Sequence, residues 1–255
     1  MKTSYEEILE YIEIAGYASL SELSEQLGVS AMTVRRHLAR LEEQGNVARV
    51  RAGAVRTNHV QGADQAFSQK LWKFREEKMA IARHAASLLT YGQTVFVDTG
   101  STCFYLAKSF PTDKQLTVIT HSLIIVNALR GNPGVRVICP GGELDSALHV
   151  FAGPHAERLL DSFTADIAFV ATDGIDLARG TQEDNLVQIP LKSTMNRNAR
   201  ESYLLADSSK LNYRSYFTGT PLTDLAHVIT TSRANAEHVV ALRDAGIEVM
   251  VVEMV

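Results

Sequence analysis

Short apolar runs alternate with segments of helical spacing from residue 94 onward, and this alternation constrains the fold more than any other feature. The strand-like runs are Thr94–Val97, Leu116–Ile119, Val135–Ile138, Ile167–Val170, Tyr203–Leu205, Val228–Ile229 and Val249–Val252. The spacing predicts a helix from Arg75 to about Leu89, and others at about 102–109, 122–130, 153–161, 191–199 and 234–245. Strands that are apolar almost throughout need cover on both faces, so the pattern predicts an α/β fold with a parallel sheet.

Polar residues gather just after several of the predicted strands, where parallel sheets bind ligands. The run Asp98-Thr99-Gly100-Ser101-Thr102 precedes a helix, so its hydroxyls and the free helix N–H groups predict a phosphate cradle. A capped turn without a ligand is the alternative. The other candidate residues for binding an effector are Thr120, His121, Ser122, Gly141, Gly142, Asp173, Asp176, Lys192 and Lys210. Together they predict a pocket for a small phosphorylated polyol.

The first sixty residues follow a different pattern, that of three short helices. The first is predicted to end near Gly16, the second to start after Ser19 and stop at Gly28, and the third to start after Ser30 and end near Gly45. The short turn before the third helix contains a glycine, which is typical of a helix-turn-helix. Residues 46–56 alternate and turn near Gly53, and they predict a small hairpin, or wing.

The predicted third helix and the wing carry the candidate residues for DNA binding. These are Ser30, Met32, Thr33, Arg35, Arg36, His37 and Arg40 on the helix, and Arg49 and Arg51, with Arg56, in the wing. A helix fits the major groove, where arginines reach guanines or phosphates. A protein-interaction module with a solvated arginine-rich face is the alternative.

The charge of the whole chain and the charge of this segment point in opposite directions. A formal net charge of −4 argues mildly against a nucleic-acid partner. Residues 30–57, however, contain six arginines and two glutamates, whereas residues 1–29 contain one lysine and six glutamates. The positive charge is therefore confined to the segment that is predicted to contact DNA.

The third helix also resembles the N-terminus of the DeoR family of bacterial sugar-operon regulators. The resemblance rests on the run Val29-Ser30-Ala31-Met32-Thr33-Val34-Arg35-Arg36-His37-Leu38, followed by Leu41-Glu42-Glu43-Gln44-Gly45. The family has Asp where this chain has His37. It has His-Gly-Gly-Ala in the wing where this chain has Arg51-Ala52-Gly53-Ala54.

The remainder of the chain is similar to the sensor domain of the same family, which in turn is similar to ribose-5-phosphate isomerase. The matching motifs are Lys78-x-x-Ile81-Ala82, Asp98-Thr-Gly-Ser-Thr, Thr120-x-Ser122, Gly141-Gly142, Asp173-Gly-Ile-Asp176, Lys192 and Asp207-Ser-Ser-Lys210. His121 stands where the family usually has Asn. Val187 and Gln188 replace common glutamates, so the identity of the sugar stays open.

The resemblance implies a transcriptional regulator rather than an enzyme. It implies a winged helix-turn-helix domain at 1–57, a linker at 58–74 and a sensor domain at 75–255. Such a regulator, usually a repressor, binds double-stranded operator DNA as a homo-oligomer, dimer or tetramer. A phosphorylated sugar releases it, and no other cofactor is expected.

Two alternatives remain open from the residues. The first is a sugar-phosphate isomerase, with Asp173 or Asp176 as the base and Lys192 stabilising the enediolate. Leu177 counts against it, because the isomerase motif has a second acid there. The second is a DNA-binding activator that has no small-molecule effector.

Several classes of protein are disfavoured by composition. With 45% hydrophobic and 21% charged residues the chain is typical of a folded globular protein. No apolar run is long enough for a membrane helix and no signal pattern opens the chain, so we expect a cytoplasmic protein. Two isolated cysteines, Cys103 and Cys139, and eight scattered histidines predict neither a disulfide framework nor a metal site.

Overall fold

A computed structural model describes residues 4–15, 17–44, 46–50, 53–56, 67 and 70–254. The chain divides into two compact units, Met1–Lys73 and Phe74–Val255. Most of the predicted linker lies outside the described residues, and residues 70–72 are helical. None of the helices in the described ranges is long and apolar enough to cross a lipid bilayer.

The first unit contains the predicted helices and wing. Its elements are α1 (Ser4–Ala15), β1 (Tyr17–Ser19), α2 (Leu20–Leu27), α3 (Ala31–Glu43), β2 (Val47–Val50) and β3 (Gly53–Arg56). Ser19 and Glu22 form a capping box at the start of α2, and Gly28 ends that helix with a positive φ of 61°. The Ser30 side chain caps α3 by accepting a hydrogen bond from the backbone N–H of Thr33. The helix-turn-helix and its hairpin are confirmed.

The wing belongs to a three-stranded antiparallel sheet in the order β1-β3-β2. The first of these strands, β1, was not predicted, because three residues are too few to show a period. Gly53 faces Ser19 across the β1–β3 pair, and a Cβ placed on it would lie 1.9 Å from the carbonyl oxygen of Ala18. Only a glycine fits this close approach. Gly53 therefore allows the wing strand β3 to pair with β1, which directly precedes α2.

One apolar core holds the first unit together. It is formed by Ile8, Tyr11, Ile12, Ala18, Leu23, Val34, Leu38, Leu41, Val47 and Ala54. The Trp72 ring packs against this core, with its centroid 4.9 Å from that of Tyr11. The tryptophan is therefore a packing residue of the first unit.

The second unit is built around a parallel sheet of seven strands in the order β15-β14-β12-β9-β4-β5-β6. The strands are β4 (Thr94–Val97), β5 (Leu116–Ile119), β6 (Val135–Ile138), β9 (Ala165–Ala171), β12 (Ala199–Leu205), β14 (His227–Thr231) and β15 (Glu248–Val252). The helices are α4 (Arg75–Ser87), α5 (Ser101–Lys108), α6 (Leu123–Leu129), α7 (Pro154–Asp161), α8 (Ile189–Arg197) and α9 (Ala236–Asp244). The parallel-sheet α/β fold is confirmed.

The strand order reverses next to β4, and this reversal positions the site. The chain proceeds from β4 outward to β5 and β6, and then returns to place β9 on the other side of β4. In a parallel sheet the loops at the carboxyl ends of two such strands diverge and leave a crevice for a ligand. Asp98 follows β4 and Thr172 follows β9, so both lie at this crevice.

Two small antiparallel sheets in the second unit were not predicted. One is the hairpin of β7 (Glu143–Asp145) and β8 (Val150–Ala152). The other is formed by β10 (Gly174–Asp176), β11 (Gly180–Glu183) and β13 (Phe217–Thr218). These sheets shape the carboxyl side of the main sheet, because both β7 and β10 begin within a few residues of the end of a main strand.

Candidate functional site

Asp98 joins the two strands that flank the crevice. Its backbone N–H donates to the carbonyl of Phe169 on β9, and its Oδ2 accepts from the N–H of Ala171, 3.0 Å away. The same Oδ2 accepts a hydrogen bond of 2.7 Å from Lys192 Nζ on α8. Asp98 is completely buried, so its charge depends on these donors for stabilisation.

Lys192 lies between two buried carboxylates. Its Nζ donates to Asp98 and to the carbonyl oxygen of Ala171, 2.6 Å away, and lies 3.4 Å from Oε2 of Glu183 on β11. Burial disfavours the ammonium form, but the two carboxylates outweigh it and raise the pKa of Lys192 above its usual range. Burial also raises the pKa of Glu183 to about 7, although Lys192 opposes this shift.

His121 completes this cluster from the loop after β5. The ring is fully buried and its Nε2 lies 3.7 Å from Oδ1 of Asp98. Burial lowers the pKa of His121 to about 4, since the nearby Asp98 only partly compensates for lost solvation. The imidazole is therefore neutral at pH 7. We call the group formed by Asp98, His121, Glu183 and Lys192 the charged cluster.

The N-terminus of α5 begins directly after Asp98. Gly100 precedes the helix with a φ of 111°, and no side chain caps the first turn. The Ser101 and Thr102 side chains are buried there, and the neighbouring Thr99 hydroxyl accepts a hydrogen bond of 3.1 Å from Ser122 Oγ. Uncapped helix N–H groups beside hydroxyls are a suitable site for an anion such as a phosphate.

The other predicted effector residues lie at neighbouring strand ends, each in its own local structure. Thr120 Oγ1 accepts from the Ser122 N–H, and Gly141 and Gly142 form the turn between β6 and β7 with positive φ values. Oδ2 of Asp173 accepts from the N–H of Asp184. Asp176 binds the Arg214 guanidinium and the Ala178 N–H, and these hydrogen bonds lower the pKa of Asp176. Asp176 therefore links the β10–β11 hairpin to the segment that precedes β13.

A second buried polar group was not predicted as a whole. Glu77 on α4 accepts hydrogen bonds from the N–H and hydroxyl of Ser208, both 2.9 Å, and from the Thr231 hydroxyl, 2.6 Å. The adjacent Lys78 Nζ lies 3.4 Å from Oδ2 of Asp207. Burial lowers the pKa of Lys78; the Asp207 carboxylate opposes this shift, and the charge of Lys210 adds to it. This group fastens α4 to the carboxyl ends of β12 and β14.

Glu183 was missed by sequence reasoning. It stands in the run Gly180-Thr181-Gln182-Glu183-Asp184, which has the polar composition of a loop. The structure instead places it in β11, 1% exposed, and against Lys192. A carboxylate in a polar run gives no local signal of burial, so only the tertiary contact identifies it.

The exposed face of α3 carries three of the predicted DNA-binding residues. Met32, Arg35 and Arg36 are all exposed, and Met32 is 70% accessible. A spacing of three and four residues puts them on one side of the helix, opposite the buried Val34, Leu38 and Leu41. This side is free to enter a groove.

Other predicted DNA-binding residues of this unit have partners within it. The Tyr5 ring of α1 packs edge-on against His37 and lies beneath the Arg40 guanidinium, 5.2 Å from its centroid. Arg49 donates its backbone N–H to Glu42 and forms an ion pair of 3.7 Å with the same carboxylate. Ser30 caps α3 by accepting from the Thr33 N–H, and the hydroxyls of these two residues lie 3.0 Å apart. Arg51 and the Arg56 side chain lie outside the described residues.

Comparisons with known proteins agree with both halves of this arrangement. Residues 5–60 match the model of the DeoR-like helix-turn-helix domain, and residues 73–232 match that of the DeoR C-terminal sensor domain. The chain is 32% identical to an uncharacterised helix-turn-helix regulator, YulB, of Bacillus subtilis, over 98% of this chain and 96% of that protein. It is also 32% identical to a lactose phosphotransferase system repressor of Staphylococcus epidermidis, over 88% of this chain and 90% of that protein.

A solved structure of ribose 5-phosphate isomerase A from Neisseria gonorrhoeae is more distantly similar. The TM-score is 0.39, at 14% identity over 55% of this chain and 54% of that one. This likeness is too low to transfer an activity, and the curated relatives described above are named as regulators. Both family models match and the similarity to a regulator covers nearly the full length, so the chain belongs to the DeoR family of DNA-binding transcriptional regulators.

Proposed function

We propose that this protein represses a carbohydrate operon and that a phosphorylated sugar releases it from its operator. The observation that carries the sensor half is the crevice between β4 and β9, where the uncapped start of α5 adjoins the charged cluster. A helix N-terminus favours a phosphate, and carboxylates accept hydrogen bonds from sugar hydroxyls. The Asp98 carboxylate and the start of α5 both lie within residues 98–102. This arrangement suits a small ligand that carries hydroxyl groups and a phosphate.

The DNA half rests on the exposed face of α3. Met32, Arg35 and Arg36 have the exposure and spacing of side chains that reach base edges, while the capped start of the helix sets its direction. We propose that a homo-oligomer, dimer or tetramer, presents two such helices to double-stranded DNA. The name of the staphylococcal relative, a repressor of a lactose phosphotransferase system, supports repression and a carbohydrate operon.

Release requires that the sugar bind more tightly to the form that does not bind DNA. The ligand then shifts the population away from the operator-bound state by its difference in affinity for the two states. Thr99, Ser101 and Thr102 are buried at the crevice, and a phosphate bound there would accept hydrogen bonds from their hydroxyl groups.

The test uses an operator selected from a random pool of DNA duplexes by the full-length protein. Fluorescence anisotropy then measures operator binding while a panel of sugar phosphates is added. We expect at least one sugar phosphate to release the wild-type protein. The double variant Ser101→Ala with Thr102→Ala should keep operator affinity and lose release.

A matched control lies at the other end of the same helix. Ser109 follows α5 and its hydroxyl donates to the Tyr105 carbonyl, so Ser109→Ala removes a similar group far from the crevice. This variant should respond like the wild type. Normal release of the double variant would show that the phosphate does not bind at the start of α5, and no response to any sugar phosphate would contradict the sensor proposal.

A further inference from the structure

The charged cluster contains more hydrogen-bond acceptors than donors. Lys192 is its principal donor, and its three protons are already directed to partners. Two go to Asp98 Oδ2 and the Ala171 carbonyl, at 2.7 and 2.6 Å, and the third faces Glu183 Oε2 at 3.4 Å. Lys192 therefore has no proton left for a ligand.

Several acceptors of the cluster remain without a hydrogen bond from the described residues. These are Asp98 Oδ1 and Glu183 Oε1, whereas Glu183 Oε2 has only its ion pair with Lys192. The Thr172 hydroxyl is close to Glu183, but its single proton is shared between the carbonyl oxygens of Gly174 and Gln182. Since buried acceptors cost free energy when they are not hydrogen-bonded, these two oxygens require donors.

His121 does not correct this imbalance. Both of its ring nitrogens are buried without a hydrogen bond to any described group, and the ring is neutral at pH 7. A neutral imidazole supplies one donor and one acceptor. The cluster thus offers a ligand three acceptors and one donor, next to two carboxylates.

We propose that the ligand meets this cluster with hydroxyl groups and without a carboxylate. It is a phosphorylated polyol or neutral sugar, and not the phosphorylated aldonic or uronic acid with the same carbon chain. This inference rests on the proposed function, because it concerns the same site. Hydroxyl groups donate to Asp98 Oδ1 and to Glu183, whereas a carboxylate adds acceptors and a negative charge where both are already in excess.

Matched pairs of compounds test this inference on the full-length protein. Sorbitol 6-phosphate and 6-phosphogluconate share the carbon chain, the hydroxyl configuration and the phosphate, and they differ in a hydroxymethyl group against a carboxylate. Ribitol 5-phosphate with 5-phosphoribonate, and erythritol 4-phosphate with 4-phosphoerythronate, extend the comparison to shorter chains. We expect at least one of these pairs to bind. In calorimetric titration at pH 8, the dissociation constant of its polyol should be at least about tenfold lower than that of the matched acid.

The variant Glu183→Gln tests whether the preference for the polyol over the acid arises from the charged cluster. The amide keeps the shape of the side chain, removes a charge and adds a donor, so the preference should fall to within about threefold. Glu237 is exposed on α9, and Glu237→Gln should keep the wild-type ratio. Because the ratio is measured within one protein preparation, a loss of folding appears as weaker binding of both compounds.

The possible outcomes separate this inference from the proposed function. If an acid binds as tightly as its polyol or more tightly in the wild type, the inference is wrong and the sensor function stands. If the wild-type preference survives Glu183→Gln, Glu183 is not its cause. If no phosphorylated compound binds, the sensor function itself is contradicted.

Discussion

Asp98 combines three tasks in one buried side chain. It bridges β4 and β9 through the Ala171 N–H, it holds Lys192, and its second oxygen faces His121. Lys192 and Asp98 are 94 residues apart in sequence, so the pair forms only when the two halves of the sheet have met. Removing either partner would leave a buried charge uncompensated, which destabilises a protein by about 3–5 kcal/mol.

His121 predicts a pH dependence of stability. Its pKa is about 4 in the folded protein and 6.5 is its ordinary value, so between these values the unfolded chain binds more protons. Stability is therefore fully present above pH 6.5 and is lost as the pH falls towards 4. His121→Gln removes this contribution. Between pH 6.5 and pH 4, the free energy of unfolding of the variant should therefore fall by up to about 3 kcal/mol less than that of the wild type.

Thermal unfolding at a series of pH values between 4 and 8 measures this difference. The groups whose charges face His121 are Asp98 and Lys192, and both stay in place in the variant. His155 is exposed on α7, so His155→Gln should follow the wild-type profile. Parallel pH profiles of His121→Gln and the wild type would show that His121 is not held neutral by burial.

At the level of elements, α3 is the part of the first unit that we propose contacts DNA. Its buried stripe packs on the core and its cap fixes its start, so the opposite side is presented rigidly. Arg35→Ala and Arg36→Ala should each weaken operator binding by about 1–3 kcal/mol, because each removes a contact to a base or phosphate. The melting temperature should stay close to that of the wild type, since both side chains are exposed.

Arg130 provides the control for charge alone. It is exposed at the end of α6 in the second unit, and Arg130→Ala removes the same charge without touching α3. Anisotropy at two salt concentrations compares the three variants on the selected operator. Equal binding by the wild type and both α3 variants would show that another surface contacts the DNA.

Most strands of the main sheet could be predicted from the sequence because they are apolar runs between turn residues. The strand β12 begins four residues before the predicted run Tyr203–Leu205, because its first half contains the polar residues Arg200, Glu201 and Ser202. The strands β4, β5 and β6 begin and end where the pattern places them. The short strands β7, β8, β10, β11 and β13 have two to four residues each and mixed polarity, so no period marks them. Their pairing depends on contacts with residues distant in sequence.

The candidate site was predictable only in part, for the same physical reason. Asp98 and Lys192 were recognisable because each stands at the boundary of a strong element, where ligands bind. Their direct contact, and the presence of Glu183 beside them, are tertiary facts that a local pattern does not contain. Asp176 shows the converse, because its position in a matching motif did not reveal its bond to Arg214.

At the scale of the whole molecule, the proposed release of DNA has a thermodynamic consequence. If the sugar lowers operator affinity by some factor, the operator must lower sugar affinity by the same factor. A coupling of about 1–3 kcal/mol corresponds to roughly 5- to 150-fold. We therefore expect the dissociation constant of the sugar to rise by the measured factor when the protein is saturated with operator.

Calorimetric titration of the sugar into the free protein and into the operator complex makes this comparison. A duplex of scrambled sequence at the same concentration is the control, and it should leave sugar affinity unchanged. Equal sugar affinity with and without operator, together with release in the anisotropy assay, would mean that release does not come from equilibrium binding of the sugar to the protein, because the two affinities are linked whatever the mechanism.

The fastening of α4 by Glu77 also sets an order of events during synthesis. The partners of Glu77 are Ser208 and Thr231, which lie 131 and 154 residues further along the chain. At about 5–20 residues per second, the ribosome needs roughly 10–30 s to reach the second of them. The first unit ends at Lys73 and its core draws on residues 5–72 alone, so all of its residues have been synthesised before that interval begins. Each newly made chain therefore contains a complete DNA-binding unit for some seconds before the sensor unit can complete its fold.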